Sequence, residues 1–400
     1  MCPCYTYNTG GVKMNNYKVL LTMKLVKNIL TTFIDSFLVL YFLTVSKSNI
    51  IPLGMYHIIE VTMLFLTMFM LRNASKKSNR KNLVVLGIIF AFIYFLSIII
   101  LKDKIIEFAP IVGFLYGLSE GFYYSVFNSF ETDGVKENDR KKFYGKYTIY
   151  KSLTSILFPI IFGSIITKTG FIKSLILVLI IVALEIFLSI IFKDENVPKS
   201  NKFSLKEYLK LTKNNKVIKS LYKVDFCDGL TYSSGAFKLI VTIYIIKVFS
   251  NSFSLGVFTS IFSLVSCIIG YLFSNYIKKK KYINILYLSM VCTIISLCIL
   301  LIKCNAITII IFNFFQTISS TFKNLINESS KATISNIDIL KDNYKVEYFL
   351  VADFCLFLGR FLSHTLFIML AFVSEIFIIP IFIIFLVSLT INSANLQKDL

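Results

Sequence analysis

The chain has 400 residues, 56% of them hydrophobic and only 16% charged, with 40 Phe, 22 Tyr, no Trp and a mean hydropathy of +0.74. Soluble domains are nearer about 45–50% apolar, so this surplus cannot be hidden in one globular core and must face lipid. The long uninterrupted apolar runs then call for helices, because barrel strands would alternate polar and apolar residues. A net charge of +20 would suggest nucleic acid in a soluble protein. Here it sits in short segments between apolar runs, as membrane loops do, so the partner expected is a lipid bilayer and no nucleic acid.

With a ruler of roughly 20 apolar residues per crossing, the spans fall near 28–46, 51–71, 83–101, 107–129, 147–167 and 171–192. A Lys-rich stretch, Lys193 to Lys223, follows. Six further spans lie near 224–249, 253–276, 283–302, 306–326, 347–373 and 375–394. The fold class expected is therefore an all-α membrane protein with twelve transmembrane helices in two pseudo-symmetric six-helix bundles. The expected parts are an N-terminal tail (1–27), a first bundle (28–192), a linker (193–223), a second bundle (224–394) and a C-terminal tail (395–400). The first apolar run lacks a small-residue cleavage site and reads as a retained span. Most of the 42 Lys and Arg lie in the tails, the linker and the loops of one side. By the positive-inside rule this makes both termini cytoplasmic in a plasma-membrane protein. Pro159 and Pro380 fall within spans and would kink them.

The eight cysteines make no ligand array. Cys2 and Cys4 lie in the tail, Cys304 at a short loop and the others within apolar stretches. Neither a disulfide framework, a metal nor a cofactor is expected.

The two halves echo one another. Phe33-Ile34-Asp35-Ser36 in the first span matches Phe226-Cys227-Asp228-Gly229 in the seventh. Phe127-Asn128 in the fourth matches Ile326-Asn327 in the tenth. Each of the latter precedes an acidic, polar loop, Glu131 to Lys142 and Glu328 to Lys345. Two parallel six-helix repeats joined by a long cytoplasmic loop is the layout of the major facilitator superfamily, and the sequence resembles that family along nearly its whole length. The segment Leu71 to Lys81 keeps the positive charge of the family's loop between spans two and three but lacks its Asp and Gly residues. The run Asp139-Arg140-Lys141-Lys142-Phe143-Tyr144-Gly145 is similar to the family's acidic-basic-Gly pattern after span four. The stretch from Glu347-Tyr348 to Gly359-Arg360 is similar to one in family members from low-GC bacteria.

The resemblance implies that spans one, four, seven and ten line a central cavity. An ionisable residue at bilayer depth is costly and therefore a candidate for function. Asp35 and its repeat mate Asp228 would bind a coupling proton or a cationic solute, or else pair with Lys24 or Lys27. Glu120 lies near the middle of span four between Gly117 and Gly121, small residues that also serve helix packing. His57 and Glu60 share one helical face and form either a proton relay or a polar pair between helices. Lys238 would pair with Glu120, Asp35 or an anionic solute, whereas Lys323, near the inner end of span ten, is expected to snorkel to the interface. Asp353 and Arg360, two turns apart, together with Asp139 and Arg140, form a candidate gating or structural ion network. Glu185 reads as structural.

The function expected is secondary active transport of a small solute by alternating access, coupled to a proton or another ion, by a chain expected to be a monomer. Tyr116, Phe122, Tyr123, Tyr124 and Phe127 around Glu120 would suit proton-coupled efflux of a lipophilic or cationic compound, or simply pack. The alternative is a non-transporting sensor or assembly protein on the same fold. No phosphate loop, metal-ligand cluster or nucleophile elbow supports an enzyme.

Overall fold

A computed structural model of the chain describes residues 16–73, 80–134, 137–193, 203–231, 235–249, 251–334, 344–373 and 375–400. Among the described residues the helices make twelve spans. In the first half α1 runs through Asn16–Phe33, a π-helical turn Ile34–Leu38 and Val39–Val45. It is followed by α2 (Ile51–Leu71), α3 (Arg80–Leu101), α4 (Ala109–Gly134), α5 (Glu137–Thr169) and α6 (Phe171–Ile191). The second half comprises α7a (Lys216–Leu230), α7b (Ala236–Val248), α8 (Ser252–Tyr276), α9 (Tyr282–Ile302), α10 (Ala306–Ile334), α11 (Lys345–Met369) and α12 (Glu375–Asp399).

The helices bury polar groups within the apolar core and expose long apolar faces, which a soluble bundle does not. In α6, Ser174, Glu185 and Ser189 are buried, while Ile176, Ile180, Leu184 and Phe187 are exposed at steps of four and three on the opposite face. An apolar stripe of this kind, repeated around the molecule, is the surface that lipid covers.

Packing repeats between the halves. The first helix of each half contacts the fifth and sixth, as α1 does α5 and α6, and α7a does α11 and α12. The second contacts the fourth, and the third contacts the fourth and sixth. The halves meet along α2–α11 and α5–α8. This twofold correspondence is the architecture that the sequence echo implies.

Several boundaries differ from the hydropathy reading. The first helix begins at Asn16, not 28: Val19, Leu20 and Met23 are buried, and the interspersed Lys18, Lys24 and Lys27 do most to lower the local hydropathy. The chain from Glu131 to Lys142 is largely helix, the end of α4 and the start of α5. Asp139 and Arg140 therefore lie on a helix, and their side chains fall outside the described residues. The expected linker carries a short helix, Leu205–Thr212, and the first turns of α7a. Tyr208 of that helix bonds the Tyr222 hydroxyl, and Glu347 accepts the Ser204 amide at 3.0 Å, which fastens the linker to the second half. The expected C-terminal tail continues α12, with Leu396 fully buried.

The largest departure is in span seven, which is two helices and not one. Its break is held by Ser363 of α11. The Ser363 hydroxyl donates to the Leu230 carbonyl at 2.9 Å and accepts the Ala236 amide at 2.9 Å, so one side chain serves both broken ends. Just before the break α7a crosses α11 backbone to backbone. A Cβ on Gly359 would lie 2.2 Å from the Phe226 carbonyl oxygen, and one on Gly229 2.3 Å from that of Leu356.

Candidate functional site

A cavity of about 320 Å³ lies where α1, α5, α7b, α8 and α10 converge. Its charged lining, among the described residues, is Asp35 and Lys238. The Lys238 ammonium donates to Asp35 Oδ2 at 2.5 Å, joining the first half to the second, and the two side chains are 40% (Asp35) and 43% (Lys238) exposed. Both residues sit at irregular backbone. Asp35 is in the π-turn of α1, a local widening of the helix often associated with function. Lys238 is in the first turn of α7b, directly after the break.

The rest of the wall is polar at helical spacing. From α8 come Thr259, Ser263 and Ser266, and from α10 Asn313, Gln316 and Thr317. Reading the chain for charge passes over these residues. Their signal is nevertheless present, as steps of three and four that place them on one face of each helix. A second, larger cavity of about 610 Å³ lies on the other side of α7b, toward the end of the bundle away from the termini, and is mostly apolar.

A second group of ionisable residues crosses the seam between α2 and α11. His57 Nδ1 lies 2.7 Å from Glu60 Oε2, and the His57 ring stacks on His364 at 5.0 Å between centroids with planes 8° apart. The chain's two histidines thus meet across the halves. Arg360, one turn from His364, is within electrostatic reach of Asp353, Asp228 and Glu60. Asp353 and Arg360, two turns apart on α11, share this neighbourhood with Asp228, which is not among the residues lining the cavity.

Glu120 belongs to neither group. It is buried inside the first half, where Lys27 donates to it, and the Lys27 ammonium lies 4.7 Å from the Tyr123 ring centroid. Glu185 of α6 feels the charges of both. The aromatics expected to line a cavity around Glu120 are mostly packed: Tyr116, Tyr123 and Phe127 are buried, and Phe127 stacks on Tyr123 at 4.5 Å. Gly117 and Gly121 face α2. A Cβ at Gly117 would lie 2.4 Å from the Glu60 carbonyl oxygen.

Lys323, expected to snorkel, is 1% exposed and enclosed by protein. The helix of α10 continues to Ile334, so the lysine lies well short of its end. A further pair escaped the sequence reading: Lys331 of α10 donates to Asp225 of α7a at 2.7 Å.

The family model for the Major Facilitator Superfamily matches residues 18–336, and the chain belongs to that family. It is thus a multi-pass membrane protein of a transporter class. Among curated proteins it is similar to the uncharacterized protein YqgE of Bacillus subtilis, 25% identical over 238 residues, which are 58% of this chain and 54% of that protein. It is also similar to an uncharacterized protein in the sodM 3' region of Geobacillus stearothermophilus, 25% identical over 116 residues, 29% of this chain and 54% of that one. The matches thus span about half the length of these relatives. The fold is similar to the crystal structure of a bacterial homologue of the iron transporter ferroportin in an inward-facing state. The TM-score is 0.66 at 10% identity, over 97% of this chain and 100% of that one. At that identity the likeness speaks for the fold alone.

Proposed function

We propose that the protein is a proton-coupled carrier that moves a small polar solute by alternating access, with the solute held in the cavity beside Asp35 and Lys238. The observation that carries this reading is the ion pair between them. It joins α1 to α7b across the two halves in the wall of a cavity large enough for a solute. Rocking of the halves must break it, and a solute or proton that replaces one partner lowers the cost of breaking it. The hydroxyl- and amide-rich faces of α8 and α10 favour a hydrogen-bonding solute. The expectation of a lipophilic compound rested on aromatics that are packed around Glu120, so it is not carried forward.

The proton is assigned to His57 and Glu60. His57 lies in contact with Glu60 and stacks on His364 of the opposite half, so a change in their charge is felt at the seam that must open. The basic loops support a plasma-membrane orientation with both termini cytoplasmic. The partners proposed are the lipid bilayer, a small-molecule substrate and a proton, with a monomer as the working unit.

The test is uptake into proteoliposomes from a pooled panel of labelled metabolites, with and without an imposed pH gradient. At least one solute should accumulate only with the gradient, and a protonophore should abolish the accumulation. His57→Gln and Glu60→Gln should retain solute exchange and lose gradient-driven accumulation. Accumulation indifferent to both the gradient and the protonophore would sink the coupling.

A further inference from the structure

We infer that the cavity binds a small zwitterion, a molecule carrying one ammonium and one carboxylate a few bonds apart. Its ammonium is taken by Asp35 and its carboxylate by Lys238. The inference rests on the proposal that this cavity is the carrier's solute site, and it names the class of solute.

The argument is one of charge balance. Among the described residues, the charged lining of the cavity is one acid and one base in direct contact, so the lining carries no net charge. A cation entering it would pair with Asp35 and leave Lys238 without its partner in a wall otherwise made of hydroxyls, amides, aliphatic side chains and Phe258 and Phe262. An anion would do the same to Asp35. The pair is part-exposed and screened, so leaving one member uncompensated costs little while water fills the cavity and more once a solute displaces that water. A zwitterion supplies a partner to each member at once, so the pair opens without stranding a charge. The wedge between the halves is then the solute itself.

Position and size agree. Lys238 lies in the first turn of the 13-residue helix α7b, where the helix's partial positive charge adds to the attraction for a carboxylate. The cavity volume of about 320 Å³ is at the lower end of the about 300–1,000 Å³ usual for small-molecule sites. Asn313, Gln316 and Thr317 of α10 face the pair across the cavity with donors and acceptors for a polar side chain. A neutral α-amino acid with a short polar side chain meets all these demands. A zwitterionic phospholipid headgroup offers a similar pair, an ammonium with a phosphate in place of the carboxylate, and the test separates it from a free amino acid.

The purified full-length protein is assayed in two ways, by ligand-dependent shift of its thermal unfolding in detergent and by competition for uptake in proteoliposomes. The probes are L-alanine, L-serine, L-threonine and glycine betaine, with ethylamine and propionate as single-charge analogues of alanine and glycerophosphoethanolamine as the headgroup arm. Binding of at least one amino acid, with each single-charge analogue at least tenfold weaker, supports the inference. Asp35→Asn should weaken the amino acid at least tenfold without bringing its affinity below that of propionate. Binding of glycerophosphoethanolamine in preference to every free amino acid assigns the site to a lipid headgroup and overturns the amino-acid assignment. Equal binding of ethylamine or propionate, or no binding of any zwitterion, overturns the inference outright. Gradient-driven uptake of an uncharged or singly charged solute with no zwitterion effect overturns it and leaves the carrier reading standing. Zwitterion binding with no gradient-driven uptake of any solute upholds it and removes the coupling.

Discussion

Two lysine–carboxylate pairs involve α1, and their surroundings are opposite. Lys27 pairs with Glu120 inside the first half, with the two side chains 9% and 7% exposed. Asp35, two turns along the same helix, pairs with Lys238 of the other half, and those side chains are 40% and 43% exposed. A pair within one rigid half keeps its geometry when the halves rock, and its burial makes it expensive to break, about 3–5 kcal/mol if one partner is removed. A pair that spans the halves and touches a cavity is screened, and pairs of that exposure contribute about 0–1 kcal/mol. Depth in the membrane therefore does not mark function by itself. What distinguishes the two is whether the partners belong to the same moving body.

The comparison is broken most readily at Lys27. Lys27→Met leaves Glu120 and Glu185 buried without the cation that compensates them. We expect a loss of about 3–5 kcal/mol, read as a large fall in the thermal midpoint of the purified protein in detergent. Lys27→Met combined with Glu120→Gln removes the nearer of the two stranded carboxylates and its repulsion of Glu185, and should recover part of that loss, so the two substitutions are non-additive. Additive losses would show that the pair is not a unit.

The crossings were legible because a bilayer imposes a length and a polarity on each one. Nine spans are recognisable among the described residues by length and apolarity alone. The other three, α4, α7 and α10, fall short for physical reasons. α7 is divided into two short helices, while polar residues such as Glu120 in α4 and Asn313 and Gln316 in α10 dilute the apolar signal. The acids at depth are legible too, and Lys238 stands among the partners expected for Asp35, although the 203 positions between them leave Glu120 an equal choice. The partner of Glu120 is not legible, because three lysines mask the buried helical face that carries Lys27 and place it in a tail. The break in span seven was not legible. Residues 224–249 read as one apolar run, and what holds the break is a serine on another helix, Ser363.

Smaller effects test how the second half accommodates that break. Gly359→Ala drives a methyl group against the Phe226 carbonyl at a crossing without room for it. It should cost about 1–3 kcal/mol as overpacking. The equivalent crossing of α1 and α5 is made by side chains, Asn28 donating to Thr154 and Ser155 at 3.2 Å each. Asn28→Ala should cost about 1 kcal/mol by loss of those bonds. Thermal unfolding of both variants decides it, and an equal cost would remove the distinction between the two crossings. Ser363→Ala leaves the Leu230 carbonyl and the Ala236 amide without their shared partner, with an expected loss of about 1–3 kcal/mol. Hydrogen exchange should rise at Ala236 and not at the far end of α7b.

The smallest expected change in stability is at the cavity, and it separates holding from binding. Asp35→Asn should lower stability by less than about 1 kcal/mol, while transport falls by at least tenfold. Exchanging the pair, Asp35→Lys with Lys238→Asp, keeps one acid and one base in contact and should restore the thermal midpoint. If the pair serves only to hold the halves together, the exchange restores transport as well. If it orients a solute, the exchange places the ammonium and carboxylate the wrong way round relative to Asn313, Gln316 and Thr317, which have not moved. Stability would then return and transport would not, because the amides and hydroxyls of α10 give the site a direction that charge balance alone does not.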